Sequence, residues 1–338
     1  MANVYLSLFA SFFLLFSTGA LPGQDSSPIA ASGARFERVF DGGFFLESPA
    51  VAPDGSVYFS DITYSSRSGM QAGHIWRYDP RTGLTSIYRS PSGMANGILF
   101  DAHGDMIVAE GADFGGRRIT RTDMRTGKSY ILAGLFEGHP FNSPNDLTID
   151  ARGRIYFTDP RYLGHEPIEQ PLMGIYRIDP DLSVHLLASN IWKPNGIAIS
   201  PEQKTLYIVA VGDYNTDILK TFPISGGPPS AVHAFDLLDD GSLRYRKALV
   251  TFTQGSWGDG MTVDSDGNIY VGVGGSLEQN GVYIYTPSGQ RLAFLPTPEP
   301  AVNLDFGRGP DSNLLYVACE HGLYRIKLQR SGFRPGAQ

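Results

Sequence analysis

Six polar residues recur in the same local context along this 338-residue chain. Each precedes an apolar run, a turn rich in Asp and Gly, and an aromatic strand-like run; the six are Glu47, Asn96, Asn145, Asn195, Asp259 and Asn303. If they meet, two carboxylates and several amide oxygens make an oxygen-only environment that suits calcium, magnesium or manganese. Without a cation, two buried carboxylates would repel each other and the pKa of one would rise. The set therefore predicts a divalent-cation site.

A repeat positions these six residues. Their separations are 49, 49, 50, 64 and 44 residues, and the clearest copy is SPNDLTIDARGRIYFTD at 143–159. A period of about 40–50 residues with two strands and a turn in each copy is typical of a β-propeller, in which every repeat is one four-stranded blade around a channel. Equivalent positions at the start of each innermost strand face one axis. The sequence therefore predicts an all-β, six-bladed β-propeller with four antiparallel strands per blade.

A second repeat indicates the outer half of each blade. Segments that alternate with the strand period and contain a turn recur at 73–89, 117–133, 174–188 and 281–295. Residues 35–40 also alternate, and we expect them to complete the last blade against residues 322–328. An N-terminal strand in that place would remove the exposed edges that an open ring would leave.

The composition restricts the partners and the number of domains. The repeats run from residue 47 to residue 319 without a linker-like break, so we expect a single domain over 35–330. The net charge of -7 and the absence of a Lys/Arg cluster argue against nucleic acid. We expect a monomer that binds a small molecule in the channel. The one cysteine, Cys319, rules out an intramolecular disulfide and is predicted to be a buried residue of the last blade.

Some of the Asn and Asp residues have a simpler interpretation. Both residue types favour turns, because they tolerate left-handed backbone and bond to nearby amides. We accept that interpretation for the inter-strand turn residues Asp54, Asp101, Asp150, Asp264 and Asp266. The six aligned residues precede apolar runs and keep their register while differing in type, so metal binding is preferred for them. His165 and His321 are further acid–base candidates, with a surface or packing role as the simpler interpretation.

The chain resembles the regucalcin/gluconolactonase family of six-bladed propellers. The resemblance is carried by FNSPNDLTIDARGRIYFTDP (141–160), KPNGIAISPEQKTLYI (193–208) and GDGMTVDSDGNIYVG (258–272). It implies a divalent-metal lactonase or related esterase whose ion is held by Glu47, Asn195 and Asp259. Asn145 matches the Asn of the family's NDG or NDL motif, which lies beside the metal and contacts substrate or water. The sequence departs from bacterial members at TDPRYLG, where TDPPYG is more familiar, and this departure leaves the substrate open.

The leading hypothesis is a divalent-metal-dependent hydrolase that opens a sugar lactone or related cyclic ester. Calcium is the expected ion, with magnesium, manganese and zinc as alternatives. Asp259 is assigned both to metal binding and to water activation, Asn145 to metal and substrate, and Asn96 to substrate. A calcium-dependent arylesterase or phosphotriesterase is the first alternative, and a non-catalytic binding propeller with a structural ion is the second. The chain contains no Gly-x-Ser-x-Gly elbow, which disfavours a serine hydrolase.

The N-terminus predicts export. Residues 4–17 form an apolar run too short for a comfortable membrane span, and the small residues Thr18, Gly19 and Ala20 follow it. We expect a signal peptide over 1–20, a flexible leader over 21–34, a secreted or periplasmic location and no membrane attachment after cleavage. N-terminal sequencing of the mature protein should begin after about 20 residues. A mature chain that begins at Met1 or Ala2 would instead favour an anchor or a cytoplasmic protein.

Overall fold

The computed structural model describes residues 29–162, 164–212 and 228–334. Over these ranges the strands form six four-stranded antiparallel sheets and one two-stranded hairpin. The innermost strands of neighbouring sheets contact each other in sequence around a ring, and the last contacts the first. The predicted six-bladed propeller is therefore confirmed. The predicted signal peptide at 1–20 and the leader up to residue 28 lie outside the described residues.

The strands of a blade run from the channel outward in chain order. The chain enters through β1 (Glu37–Asp41). Blade one is β2 (Leu46–Val51), β3 (Val57–Asp61), β4 (His74–Asp79) and β5 (Leu84–Arg89), with the one-turn helix α1 (Ser65–Ser68) between β3 and β4. Blade two is β6 (Ala95–Phe100), β7 (Met106–Glu110), β8 (Arg118–Thr122) and β9 (Ser129–Ala133). The hairpin β10 (Leu135–Phe136) and β11 (His139–Pro140) follows.

The remaining blades repeat this order. Blade three is β12 (Leu147–Ile149), β13 (Ile155–Asp159), β14 (Gly174–Ile178) and β15 (Val184–Ala188). Blade four is β16 (Pro194–Ile199), β17 (Thr205–Ala210), β18 (Ala231–Leu237) and β19 (Leu243–Thr251). Blade five is β20 (Trp257–Val263), β21 (Ile269–Gly274), β22 (Gly281–Tyr285) and β23 (Arg291–Pro296). Blade six is β24 (Ala301–Phe306), β25 (Leu314–Cys319), β26 (Gly322–Lys327) and the entering strand β1, with a 3-10 turn at Gly309–Asp311.

The predicted outer hairpins are observed, and blade four adds one that the sequence pattern did not identify. Its outer strands β18 and β19 begin only after the long insertion that follows β17, most of which, residues 213–227, lies outside the described residues. Among the described helices, none is long and apolar enough to cross a membrane.

The core is divided among the interfaces between blades. An aromatic residue of the second strand recurs at these interfaces, and Tyr156, Tyr207, Tyr270 and Tyr316 are fully buried there. Tyr270 of blade five, for example, meets Phe306 of blade six edge to face, with ring centroids 5.1 Å apart. Cys319 is buried in the same cluster, as expected, and burial raises the pKa of its thiol. The aromatic run of each repeat therefore holds neighbouring blades together.

The ring is closed by the N-terminal strand, as predicted. Strand β1 pairs antiparallel with β26, so that Glu37 faces Arg325. Phe40 of β1 also packs against blade one, with its ring centroid 5.3 Å from that of Phe59 and 5.1 Å from that of Trp76. The seam therefore combines a hydrogen-bond ladder with an apolar contact across two blades.

Truncation of Phe40 tests the importance of this seam. Phe→Ala in a full core costs about 3–5 kcal/mol, so half-buried Phe40→Ala should lower the free energy of unfolding by about 2 kcal/mol. Arg38→Ala is the matched control on the same strand, because its pair with Asp41 is exposed and contributes little. Denaturant unfolding measures both. Equal stabilities for the two variants would show that closure does not depend on the apolar contact.

Candidate functional site

The six aligned residues lie on the innermost strands or, for Asn145, two residues before one. All six side chains are buried, with 2–8% of their surface exposed. In every blade except blade three, the pairing of the innermost strand with the second strand becomes irregular next to the aligned residue. Such β-bulges re-aim a side chain and interrupt the ladder. The repeated irregularity therefore explains how each of these five blades turns one polar side chain toward the channel.

Glycines next to the aligned residues allow the inner strands to approach one another. A Cβ added at Gly97 would lie 2.6 Å from the carbonyl oxygen of Asn145 in the next blade. A Cβ at Gly196 would overlap the carbonyl oxygen of Asp259. Only glycine fits where backbones come this close. The Asn-Gly and Asp-Gly pairs of the repeat thus reflect packing around the channel as well as turn formation.

Three buried carboxylates from blades one, three and five act on each other. Burial raises the pKa of Glu47 well above its usual range, and the charges of Asp259 and Asp146 raise it further. Burial, followed by the charge of Asp146, raises the pKa of Asp259 to about 8. Burial raises the pKa of Asp146 to about 7, against the opposing effect of the Leu147 N–H bond. The site therefore holds one more acid, Asp146, than the sequence pattern predicted.

Two of the aligned amides have defined partners. The Asn303 Nδ2 atom donates to Glu47 Oε2 at 3.2 Å and to Ser48 Oγ at 2.9 Å. The Asn195 Nδ2 atom donates to the hydroxyl of Tyr162 at 3.2 Å. Asn303 thus orients Glu47 rather than only lining the channel.

Three site oxygens lack a hydrogen-bond partner within the described residues: Oδ1 of Asn96, of Asn145 and of Asp259. A buried oxygen without a partner is costly, and a cation would satisfy it. The described part of the chain has no group of three or more His, Cys, Asp and Glu side chains arranged to hold a metal. An ion here would therefore need amide oxygens together with carboxylates. The donor set fits a hard divalent cation, because every available donor is an oxygen.

Two tyrosines that the sequence analysis did not select lie beside the carboxylates. Burial raises the pKa of Tyr64, and the charges of Glu47 and Asp259 add to that effect. Burial also raises the pKa of Tyr162, again with a contribution from Asp259. Both phenols therefore stay protonated. The hydroxyl of Tyr162 donates to the carbonyl of Lys193 at 3.3 Å, whereas that of Tyr64 can donate toward the channel. The ammonium of buried Lys193 lies 5.7 Å from the centroid of the Tyr162 ring.

A repeated Asp-x-x-Tyr pattern is the sequence signal that would have found these tyrosines. Tyr64 follows Asp61 by three residues, and Tyr162 follows Asp159 by three. Asp61 accepts hydrogen bonds from the backbone N–H groups of Phe44 and Phe45, both at 2.9 Å. Asp61 thereby links the end of β3 to the segment that leads into β2.

Asp159 does the same in blade three. Its carboxylate accepts from the N–H groups of Asn142 at 2.8 Å and Ser143 at 2.7 Å. Burial raises its pKa to about 7, although these two bonds oppose the shift. The Asp of each Asp-x-x-Tyr pattern is thus an anchor, and the Tyr faces the site.

The two candidate histidines lie near the mouth. His165 Nε2 is 3.4 Å from Asp113 Oδ1, and 63% of its side chain is exposed. His321 Nδ1 is 3.5 Å from Glu299 Oε2, and 56% of its side chain is exposed. Over the described ranges, neither histidine makes a hydrogen bond or ion pair with the aligned residues. Their contacts favour a surface role.

Behind the carboxylates the channel continues as a cavity of about 270 Å³. Ser48, Asp146 and Asn303 line one end, and Phe333 and Arg334 lie at the other. The Phe333 N–H donates to the carbonyl of Val263 at 3.0 Å, which holds the chain across that end. The polar site therefore opens mainly toward the face that carries the tyrosine loops.

Comparison with known proteins gives the class of this propeller. Residues 45–321 match the family described as SMP-30/Gluconolactonase/LRE-like region, and the chain belongs to that family. A gluconolactonase from Zymomonas mobilis is 29% identical over 301 residues, which cover 82% of this chain and 79% of that protein. Lactonase drp35 from Staphylococcus epidermidis is 25% identical over 290 residues, covering 83% and 79%.

Solved structures agree with the family assignment. A gluconolactonase from Xanthomonas campestris superposes with a TM-score of 0.72 at 25% identity, covering 93% of this chain and 99% of that one. The calcium-binding protein regucalcin from Agrobacterium tumefaciens superposes with a TM-score of 0.65 at 20% identity, covering 92% and 98%. At 20% identity, the likeness to regucalcin shows that the two proteins share a fold.

Substitution of Gly196 tests the close approach of the inner strands. Gly196→Ala should lower the free energy of unfolding by about 1–3 kcal/mol, because its methyl group would collide with backbone. Gly134→Ala is the matched control, since its Cβ would meet nothing nearer than 3.7 Å. Denaturant unfolding measures both variants. If Gly196→Ala were as stable as the control, glycine would be present there for a reason other than packing.

Proposed function

We propose that this protein is a lactonase that hydrolyses a sugar lactone or related cyclic ester with the help of one bound divalent cation. The observation that carries the proposal is the buried set of Glu47, Asp146 and Asp259 at the mouth end of the channel, together with amide oxygens that have no hydrogen-bond partner in the described part of the chain. The family and the gluconolactonase and lactonase relatives support the reaction class. The polar lining favours a hydroxylated substrate over the apolar one of an arylesterase.

Glu47, Asn195 and Asp259 would hold the cation, with Asn145 beside them. Calcium is the preferred ion, because carboxylate and amide oxygens are the ligands it takes most readily. When bound, a divalent cation supplies positive charge that polarises an ester carbonyl and lowers the pKa of a water molecule. The relative described as a calcium-binding protein is consistent with this choice.

The chain's own side chains would bind the substrate and move the proton. Asn96 and Asn145 hold the lactone through their amides, and Asn145 also donates to the oxygen on which negative charge develops. Asp259 accepts a proton from the attacking water as the water oxygen bonds to the carbonyl carbon. The ring C–O bond then breaks, and the departing oxygen takes that proton back from Asp259. The product is an open-chain hydroxy acid.

A hydrolysis assay with and without chelator tests the function. The protein should release acid from glucono-δ-lactone in a pH-stat, and a chelator should abolish the activity until calcium is restored. Faster hydrolysis of an aryl ester than of the lactone would favour the arylesterase alternative. Lactone binding without turnover would favour a non-catalytic propeller with a structural ion.

Asp259→Asn separates metal binding from catalysis. The change keeps the size and one oxygen ligand but removes a charge, so metal affinity should fall moderately. Turnover should fall by about 10²–10⁴-fold even at saturating metal, as expected for loss of a general base. The measurement is turnover against metal concentration, with circular dichroism to confirm folding.

Asp236→Asn is the matched control for that experiment. Asp236 binds two arginines, Arg244 and Arg246, on the outer strands of blade four. This variant should keep both turnover and metal affinity. Complete recovery of Asp259→Asn by excess metal would show that Asp259 is only a ligand, and His165 and His321 would then be the next residues to change.

A further inference from the structure

We propose that Asp113 and Glu166 are positioning residues that join loops of blades one, two and three into one roof over the site and so select compact hydroxylated lactones. The roof consists of Tyr64, Ser65, Asp113, Phe114, Tyr162 and Glu166. This inference rests on the proposed function, because it names the class of lactone that the same site accepts.

Asp113 ties the loop of blade two to that of blade one. Its carboxylate accepts from the Ser65 N–H and from the Ser65 hydroxyl, both at 2.8 Å. Asp113 is buried. Charge-assisted hydrogen bonds of this kind are shorter and stronger than neutral ones. Since Ser65 directly follows Tyr64, this double contact fixes the backbone from which the Tyr64 side chain extends.

Glu166 ties the loop of blade three to that of blade two. Its carboxylate accepts from the N–H groups of Asp113 at 3.1 Å and Phe114 at 2.6 Å. Both of these residues have left-handed backbone, with φ of 70° and 66°. Non-glycine residues remain in that conformation only when their surroundings hold them there. The Glu166 carboxylate supplies that hold.

The network ends at Tyr162. Arg161 donates to the Glu166 carbonyl at 2.6 Å and to its carboxylate at 3.2 Å. Arg161 is itself buried, and it donates to the carbonyl of Asn142 at 2.9 Å. Tyr162 is the next residue, and its hydroxyl contacts Asn195 of the aligned set. A continuous series of polar contacts therefore runs between the backbone positions of Tyr64 and Tyr162.

The two tyrosines bound the space above the carboxylates. The hydroxyl of Tyr64 makes no hydrogen bond to another described residue, although it lies close enough to Glu47 and Asp259 for their charges to raise its pKa. Its ring is held against Phe45, with centroids 5.3 Å apart. A protonated phenol in that place can donate to a hydroxyl or ring oxygen of a small lactone. A lactone fused to a benzene ring carries fewer hydroxyl groups for such a donor, so it would depend less on the positions of the two tyrosines.

Glu166→Gln tests the positioning role, because it keeps the shape of the side chain and removes its charge. The KM for glucono-δ-lactone should rise about tenfold while kcat changes less than about twofold, since binding is lost equally in the ground and transition states. The preference for this lactone over dihydrocoumarin, whose lactone is fused to a benzene ring, should fall at least about fivefold. Asp236→Asn, the control above, should change neither the KM nor the preference.

A double-variant cycle tests whether Glu166 acts through Tyr162. Adding Glu166→Gln to Tyr162→Phe should raise the KM by much less than it does in the parent protein, because the two residues belong to one network. Full additivity of the two effects on KM would overturn the proposal.

Hydrogen exchange gives a readout that does not need activity. Glu166 accepts hydrogen bonds from the N–H groups of residues 113 and 114, and within the described residues it makes none with residue 65. Glu166→Gln should therefore weaken amide protection at 64–68 only if the loops move as one unit. Unchanged exchange at 64–68 would overturn the joined roof. A wild-type protein that hydrolyses neither lactone would overturn the proposed function. The hydrogen-exchange result would still show whether the three loops move as one unit.

Discussion

The burial of three carboxylates, Glu47, Asp146 and Asp259, in one site is the constraint on which the rest of the structure depends. Burial raises the pKa of all three carboxyl groups, and the neighbouring carboxylates raise the pKa of Glu47 and of Asp259 further, so the three cannot all ionise without help. Interactions elsewhere in the ring must hold them in place, because repulsion and desolvation both favour separation. The amide side chains between the carboxylates add no further negative charge to the site. The arrangement favours any state in which positive charge enters the group.

The holding interactions are distributed over several levels of the fold. Bulges in the inner strands aim the polar side chains inward, and glycines such as Gly196 let adjacent strands approach closely. Asp61 and Asp159 bind the chain that leads into those strands. Aromatic contacts between blades then make the ring rigid. Backbone packing thus places each carboxylate in the channel, and side-chain contacts such as that of Asn303 with Glu47 orient it there.

Periodicity explains which features could be predicted from the sequence. The six blades and the aligned polar residues follow from one repeated sequence pattern. Once the polar position is identified in one repeat, the same position can be assigned in the other five. Asp146 was missed because adjacent residues of a regular strand face opposite sides, whereas regular pairing in blade three begins only at Leu147. Tyr64 and Tyr162 lie in loops, where hydrophobic alternation carries no information. The outer hairpin of blade four was hidden by the insertion before Ala231.

The pairing of the first strand with the last also sets when the site can exist. Glu37 and Arg325 are separated by 288 positions, and Asn303 and Glu47 by 256. A chain that emerges from the ribosome N-terminus first cannot complete blade six until almost all of it has been made. Until then, β1 and the other strands at the open seam have unpaired edges, which are prone to aggregation. If the predicted export precedes folding, the ring would close outside the cytoplasm, and the proposed ion would come from the outer compartment.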